Sequence, residues 1–315
     1  MLVGVGVVAG MFATASQILV RAAKGFMKDN GTDWAAALTY YAVLAIFPAL
    51  IVIVALVGLV SEGEQTVDTI VDIATDLGAG SVAANDSVVN TINDVVTKQD
   101  SPSVLLSFGL IGALWSASGY VGAFTRASNA IYGVEEDRPV YKLRPLQLLI
   151  TATALVLLAV VAVILIVSGP VTDAIGNALG AGDAARTAWS ILKWPVLVAV
   201  MMLLLSLMFW IAPNVRQPRF RWLTIGGFVT LLVWAISSFG FGLYVANFGS
   251  YDATYGTLGG IIAFLVWLYL SNCAVILGVE VNAELLADGR RRRTAASEAA
   301  TSPPARARAP RRPPG

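Results

Sequence analysis

Six long apolar runs, separated by loops whose positive charge alternates in density, constrain this chain more than any other feature. They cover roughly Ala35–Val60, Val104–Thr125, Leu146–Val167, Ile191–Ala212, Leu223–Ala246 and Thr257–Val281. Each can cross a ~30 Å hydrocarbon core as a helix rising ~1.5 Å per residue. A backbone in lipid must satisfy its own hydrogen bonds, so runs of this length predict helices.

The loop charges give the direction of crossing. Arg21, Lys24 and Lys28 precede the first run; Arg126, Arg138, Lys142 and Arg144 follow the second; Arg216, Arg219 and Arg221 follow the fourth. Arg290–Arg293, Arg306, Arg308, Arg311 and Arg312 follow the sixth. The alternate loops hold only Lys98, Arg186 and Lys193. Placing the basic loops in the cytoplasm puts 18 of the 21 Lys and Arg residues inside and 3 outside. By the positive-inside rule, the expectation is an all-α polytopic protein of a bacterial inner (plasma) membrane. Its six transmembrane helices have both ends, including the C-terminus, in the cytoplasm.

Composition agrees and narrows the chemistry. With 57% hydrophobic and 13% charged residues, 315 residues do not make an ordinary soluble domain. There is no histidine, and Cys273 is the single cysteine. An internal disulfide and a zinc site built on His or Cys clusters are therefore excluded. No metal or other cofactor is expected, and no GxxxxGK[ST] loop is present to bind a nucleotide. Cys273, inside the last run, reads as a packing residue.

The expected organisation has three parts. Residues 1–34 form an N-terminal hydrophobic or interfacial segment, 35–284 the six-helix domain, and 285–315 a disordered Arg- and Pro-rich cytoplasmic tail. Leu2–Val20 is apolar but Gly-rich and lacks a basic start, which makes it a poor signal peptide. A seventh crossing, an interfacial helix and a misassigned start all remain open for it. Between residues 61 and 102, Val67, Ile70, Val71 and Ala74 and then Val88, Val89, Ile92, Val95 and Val96 recur at helical spacing. They predict two amphipathic helices in the first external loop, with acidic faces toward water.

Helix punctuation adds detail. Asp33 reads as an N-cap, and Pro102 and Pro145 as prolines near helix starts. Pro213 closes the fourth span, while Pro48, in mid-span, predicts a kink.

Polarity inside the spans is where function is sought. Trp115, Ser118, Gly122, Thr125 and Asn129 share a face of the second span. Ser237, Tyr244 and Asn247 share one of the fifth, beside Gly240 and Gly242, and Gly256, Gly260, Ala263, Trp267, Ser271, Gly278 and Asn282 one of the sixth. Such faces serve either close helix packing or the lining of a hydrated or lipid-accepting cavity. Glu280 lies near the cytoplasmic end of the sixth span, and Arg126 at comparable depth on the second. The expectation is a Glu280–Arg126 pair or a shared polar network.

Three stretches resemble a known family. They are AAALTYYAVLAIFP (Ala35–Pro48), WSASGYVGAFTRASNAIYGVEEDRP (Trp115–Pro139) and YGTLGGIIAFLVWLYLSNCAVILGVEVNAE (Tyr255–Glu284). Over residues 21 to 290 the chain is similar to the YihY/BrkB-like inner-membrane proteins. The resemblance implies a six-span bundle with cytoplasmic termini, and through one branch of the family it implies export of lipopolysaccharide precursors. An older family label, ribonuclease BN, fits the residues badly. Metal-assisted phosphodiester cleavage needs convergent ligands, and Glu135, Glu136 and Asp137 beside Arg138 read as a solvated loop.

The leading functional expectation is therefore not an enzyme. It is a transporter of a lipid or an amphiphilic, anionic solute, with no ATPase of its own, membrane lipids as partners and no nucleic acid. Glu280 is its proton or cation site, with Arg126 and the rim of Arg138, Lys142 and Arg144 for anionic head groups. The rival is a non-transporting scaffold for cell-envelope assembly, suggested by the acidic loop and the arginine-rich tail.

Overall fold

The computed structural model describes residues 16–58, 102–166, 182–215, 217, 224–247 and 257–301, and all regular structure among them is helical. Helix α1 covers 16–28. It is followed by α2 (Gly31–Gly58), α3 (Pro102–Tyr132), α4 (Val140–Ile166), α5 (Gly182–Ile211), α6 (Ile225–Asn247) and α7 (Thr257–Thr301). Among the described residues, four segments are long and apolar enough to cross a membrane: Val140–Val161, Thr187–Ile211, Ile225–Ala246 and Gly259–Ala295. The amphipathic helices expected between residues 61 and 100 lie outside the described residues, as do residues 1–15 and 302–315.

The helices outrun their apolar runs because apolar length reports the lipid-facing part alone. Helix α3 continues past Thr125 to Tyr132, and α4 starts at Val140, which leaves Pro145 inside the helix rather than at its start. The proline that opens α4 is Pro139, whose carbonyl accepts from the Lys142 and Leu143 amides. Pro102 does open α3, as the missing N–H of a first-turn proline allows. Helix α2 continues through position 48.

The tail expectation changes most. Helix α7 runs on to Thr301, although disorder was expected from residue 285 onward. Residues 284–300 are rich in Ala, Arg, Glu and Leu, all strong helix formers, and the prolines begin only at 303. An Arg292–Asp288 pair at 2.8 Å and i,i+4 spacing supports the extension.

Asp33 falls in the first turn of α2, not at its cap. The chain turns instead at Asn30, in the left-handed region at φ 56°, where Asn is among the better-tolerated residues. Gly31 is forced by proximity, since a Cβ there would sit 2.5 Å from the Phe26 ring. Helix α3 ends similarly: Gly133 takes φ 63°, and the Val134 amide reaches back to the Asn129 carbonyl at 2.9 Å.

Each helix from α2 to α7 packs on the next, except that the loop between α2 and α3 is undescribed, and α7 returns to α2, so the six form a closed ring. The core lies toward one end. Leu38, Phe124, Ile276, Val279 and Val281 are fully buried there, and Phe124 stacks on Phe209 at 5.9 Å. This is the end at which α2 and α4 start and α3 and α5 finish. Most described basic residues cluster at the same end. Elsewhere large apolar side chains such as Phe228, Ile236, Phe239 and Ile261 are exposed, as suits helices facing lipid.

Helices α6 and α7 meet most tightly where α6 begins. Gly226 and Gly278 meet backbone to backbone, and a Cβ on either would overlap its neighbours. The Gly226 amide donates to Asn282 Oδ1 at 3.0 Å, and Thr230 Oγ1 donates to the Gly226 carbonyl at 2.9 Å. Farther along, Gly240, Gly242 and Gly260 face open space. An apolar groove of about 490 Å³ opens there, lined by Phe241, Val245, Phe264 and Trp267 among others.

Candidate functional site

Glu280 is 3% exposed, and its Oε1 has no hydrogen-bond partner. It lines a cavity of about 330 Å³ where α1, the end of α3 and α7 meet. Helix α1 reaches this place because Gly25 lacks a side chain; a Cβ there would stand 2.6 Å from Glu280 Oε2. One turn earlier, Arg21 donates to Glu284 Oε2 at 3.0 Å and to Asp288 Oδ1 at 3.4 Å. These ion pairs hold α1 along α7. Lys24, Lys28 and Arg290 also line the cavity, with Asp29 and Tyr132. None of these three cations makes an ion pair among the described residues. The cavity thus sets a buried, under-bonded carboxylate in a mixed lining of cations and carboxylates, at the end of the ring where basic loops gather.

The expected Glu280–Arg126 pair does not form. Arg126 is exposed and lies over the Tyr41 ring, 5.7 Å from its centroid. The helical phase of α3 explains this: Thr125 and Ala127–Asn129 are buried, while Arg126 and Ala130 share an outward stripe. Trp115 lies outward as well, beneath the Arg144 guanidinium at 5.6 Å. Ser118 and Thr125 are buried but donate to their own helix, to the carbonyls of Trp115 and Val121. Tyr244 is half exposed and stacks on Phe241. Asn247 ends α6, and its side chain lies outside the described residues, as does that of Pro48. Of the candidates, only Glu280 lines the cavity, while Asn282 bridges α6 and α7.

The face of α6 that meets α7 is Gly226, Thr230, Trp234 and Ser238, not the one carrying Ser237 and Tyr244. Trp234 Nε1 donates to Ser271 at 3.1 Å, and Trp267 Nε1 donates to Ser238 at 3.0 Å. Ser271, Trp267 and Asn282 were on the expected face of α7; their partners were not legible from α6 alone.

Sequence reasoning also missed a buried node. Asn272 accepts from the Tyr120 hydroxyl at 2.9 Å and donates to Thr39 Oγ1 at 3.1 Å, joining α7 to α3 and α2. Each residue occurs singly in an apolar run, so only the ring reveals the set.

The loop after α3 is not merely solvated. Arg138 donates from Nε and Nη2 to both oxygens of Glu136, each at 2.7 Å, and from Nη2 to the Ala212 carbonyl at 2.7 Å. Asn129 donates to Glu136 at 2.9 Å and accepts from the Asn214 amide at 2.7 Å, while Asn214 donates to Asp137. The Arg138 bonds hold the Glu136 carboxyl below its ordinary value of 4.5. Arg138 is thereby committed to capping α5 rather than offered to a head group. Asn129, expected on a substrate path, belongs to the same clasp.

With this geometry in hand, comparison is informative. A family model described as Virulence factor BrkB matches residues 22–302. The ribonuclease-like protein YfkH of Bacillus subtilis is 34% identical over 81% of this chain and 90% of its own length. A UPF0761 membrane protein of Rhodospirillum centenum is 30% identical over 88% of this chain, which spans 59% of that relative. No solved structure matches.

Proposed function

This chain belongs to the Virulence factor BrkB family of membrane proteins, and from that premise we propose that it carries a lipid or another anionic amphiphile without an ATPase of its own. Helices α2 to α7 are its six crossings of a bacterial plasma membrane, and the start of α2 and the end of α7 both face the cytoplasm. The loop charges support that orientation, since 18 of the 21 basic residues fall on one side.

The observation that carries the reading is the cavity around Glu280. A carboxylate only 3% exposed within α7, sharing a cavity with Arg21, Lys24, Lys28 and Arg290 as well as Asp29 and Glu284, is a costly arrangement for packing alone. Basic residues near a membrane surface attract anionic head groups by about 1 kcal/mol each. The α6–α7 groove offers apolar walls to an acyl chain. A nuclease reading, suggested by the name of the B. subtilis relative, finds less support here: Glu136 and Asp137 are engaged in the Arg138–Asn214 clasp, and the chain has no histidine.

Reconstitution tests the proposal. Vesicles carrying a fluorescent phospholipid in both leaflets are treated with an impermeant quencher. Active carrier should expose the inner-leaflet label, and Glu280→Gln should slow that exposure about tenfold or more while the protein inserts normally. Quenching no faster than in protein-free vesicles would defeat the carrier reading.

A further inference from the structure

Resting on the reading of this cavity as a head-group site, we infer that it selects a zwitterionic phosphate ester bearing a primary ammonium, with Glu280 accepting from the ammonium and the basic rim holding the phosphate. The charges around the cavity are mixed, and that excludes simpler ligands. A purely anionic group would meet Lys24, Lys28 and Arg290 but would also face Glu280, Asp29 and Glu284. A bare cation would satisfy Glu280 but add to the positive charge of Lys24, Lys28 and Arg290. A ligand with both charges close together serves both sets at once.

The unpartnered Glu280 Oε1 sharpens the choice. A buried carboxylate oxygen needs a donor, and leaving it without one is unfavourable. A primary ammonium brings three N–H donors, whereas a trimethylated ammonium brings charge but none. The site should therefore separate ethanolamine from choline head groups, as charge alone does not. Glu284 does not compete for the ligand amine, because Arg21 already holds it. Gly25 leaves the carboxylate its place, since a Cβ there would stand 2.6 Å from Oε2.

Native mass spectrometry of the full chain in detergent tests this, with phosphatidylethanolamine, phosphatidylcholine and phosphatidylglycerol of matched chains supplied in equal amounts. Phosphatidylethanolamine should be retained about fivefold over either competitor, the scale of one added hydrogen bond. Glu280→Gln should reduce that preference below about twofold while phosphatidylglycerol still binds through the basic rim. Gly25→Ala, which displaces the carboxylate without removing it, should reduce the preference in the same way. Lys24→Gln with Lys28→Gln should weaken all phospholipids together. Soluble phosphoethanolamine that displaces the lipid would assign recognition to the head group alone; failure to displace it, with the preference intact, would assign the source to the membrane lipid. Equal retention of phosphatidylcholine, or a preference unchanged in Glu280→Gln, overturns the inference. Lipid preference without movement between leaflets overturns the carrier and leaves this site standing, whereas movement without preference does the reverse.

Discussion

Gly278 has no room for a methyl group: a Cβ there would overlap Thr230 Oγ1 and lie 2.8 Å from the Gly226 carbonyl. Gly278→Ala should therefore cost about 1–3 kcal/mol, the range for overpacking a tight contact, read as a lower unfolding midpoint in detergent. Thr230→Ala should recover only part of the loss, because the Gly226 carbonyl stays in place. Gly240→Ala and Gly242→Ala face open space and should change the midpoint little. A stripe of small residues in the sequence marks all these positions alike. Only the packed structure, in which α7 meets the Gly226–Thr230–Trp234 face of α6, separates the glycines that are needed from those that are not. The same limit applies to Asn272. Replacing it with Leu leaves the Tyr120 hydroxyl without its acceptor and should cost about 0.5–1.5 kcal/mol, as interhelical hydrogen bonds in membranes do. A double-mutant cycle with Tyr120→Phe should show coupling between the two; additive effects would mean that the bond contributes nothing.

At the scale of elements, the Arg138 clasp is the feature most exposed to pH. Glu136 is held below its ordinary value of 4.5 chiefly by the Arg138 side chain, so its contribution is fully present above that value. It is lost as pH falls from there through the lower folded value, when protonation breaks the bidentate pair. The α3–α4 loop should then release the end of α5. Amide protection around Ala212, taken relative to the intrinsic exchange rate at each pH, should fall in acid in the native protein, and in Arg138→Gln it should be lowered already at neutral pH and respond less to acid. Element positions themselves were largely legible. Six apolar runs lie within or beside six helices, because hydrocarbon demands a helix wherever the backbone enters it. The ends were not legible: the last turns of α3 and of α7 lie outside the apolar stretch, and ordinary helix propensity and local pairs extend them. The clasp escaped because EED beside an arginine looks the same whether solvated or folded back onto another helix.

For the molecule as a whole, α2 and α7 are neighbours, and α1 lies along α7. The charge pattern of the loops carries the orientation, and it can be checked directly. In a Cys273→Ser background, Lys98→Cys should react with an impermeant maleimide on intact cells, and Ser297→Cys should react only after the membrane is opened. Reaction of both from one side would refute the six-crossing arrangement. Removing residues 291–315 keeps Arg290 and the Arg21–Glu284 pair, so lipid movement should persist. The site itself was half legible. Glu280 stands out as a carboxylate in an apolar run, but its surroundings come from α1, which precedes the six runs and carries no long apolar stretch among its described residues.

The closure of the ring by α7 also sets a timetable for synthesis. The Tyr120 hydroxyl waits 152 residues, and Thr39 waits 233, for the one asparagine that binds them both. Until the last helix leaves the ribosome, the Tyr120 hydroxyl lacks this acceptor, Thr39 keeps only its bond to the Ala35 carbonyl, and the face of α2 that meets α7 stays uncovered. A nascent chain stopped before Thr257 should therefore be held by an insertion partner or destroyed by membrane proteases, and quality control can judge the whole protein by the arrival of its final helix.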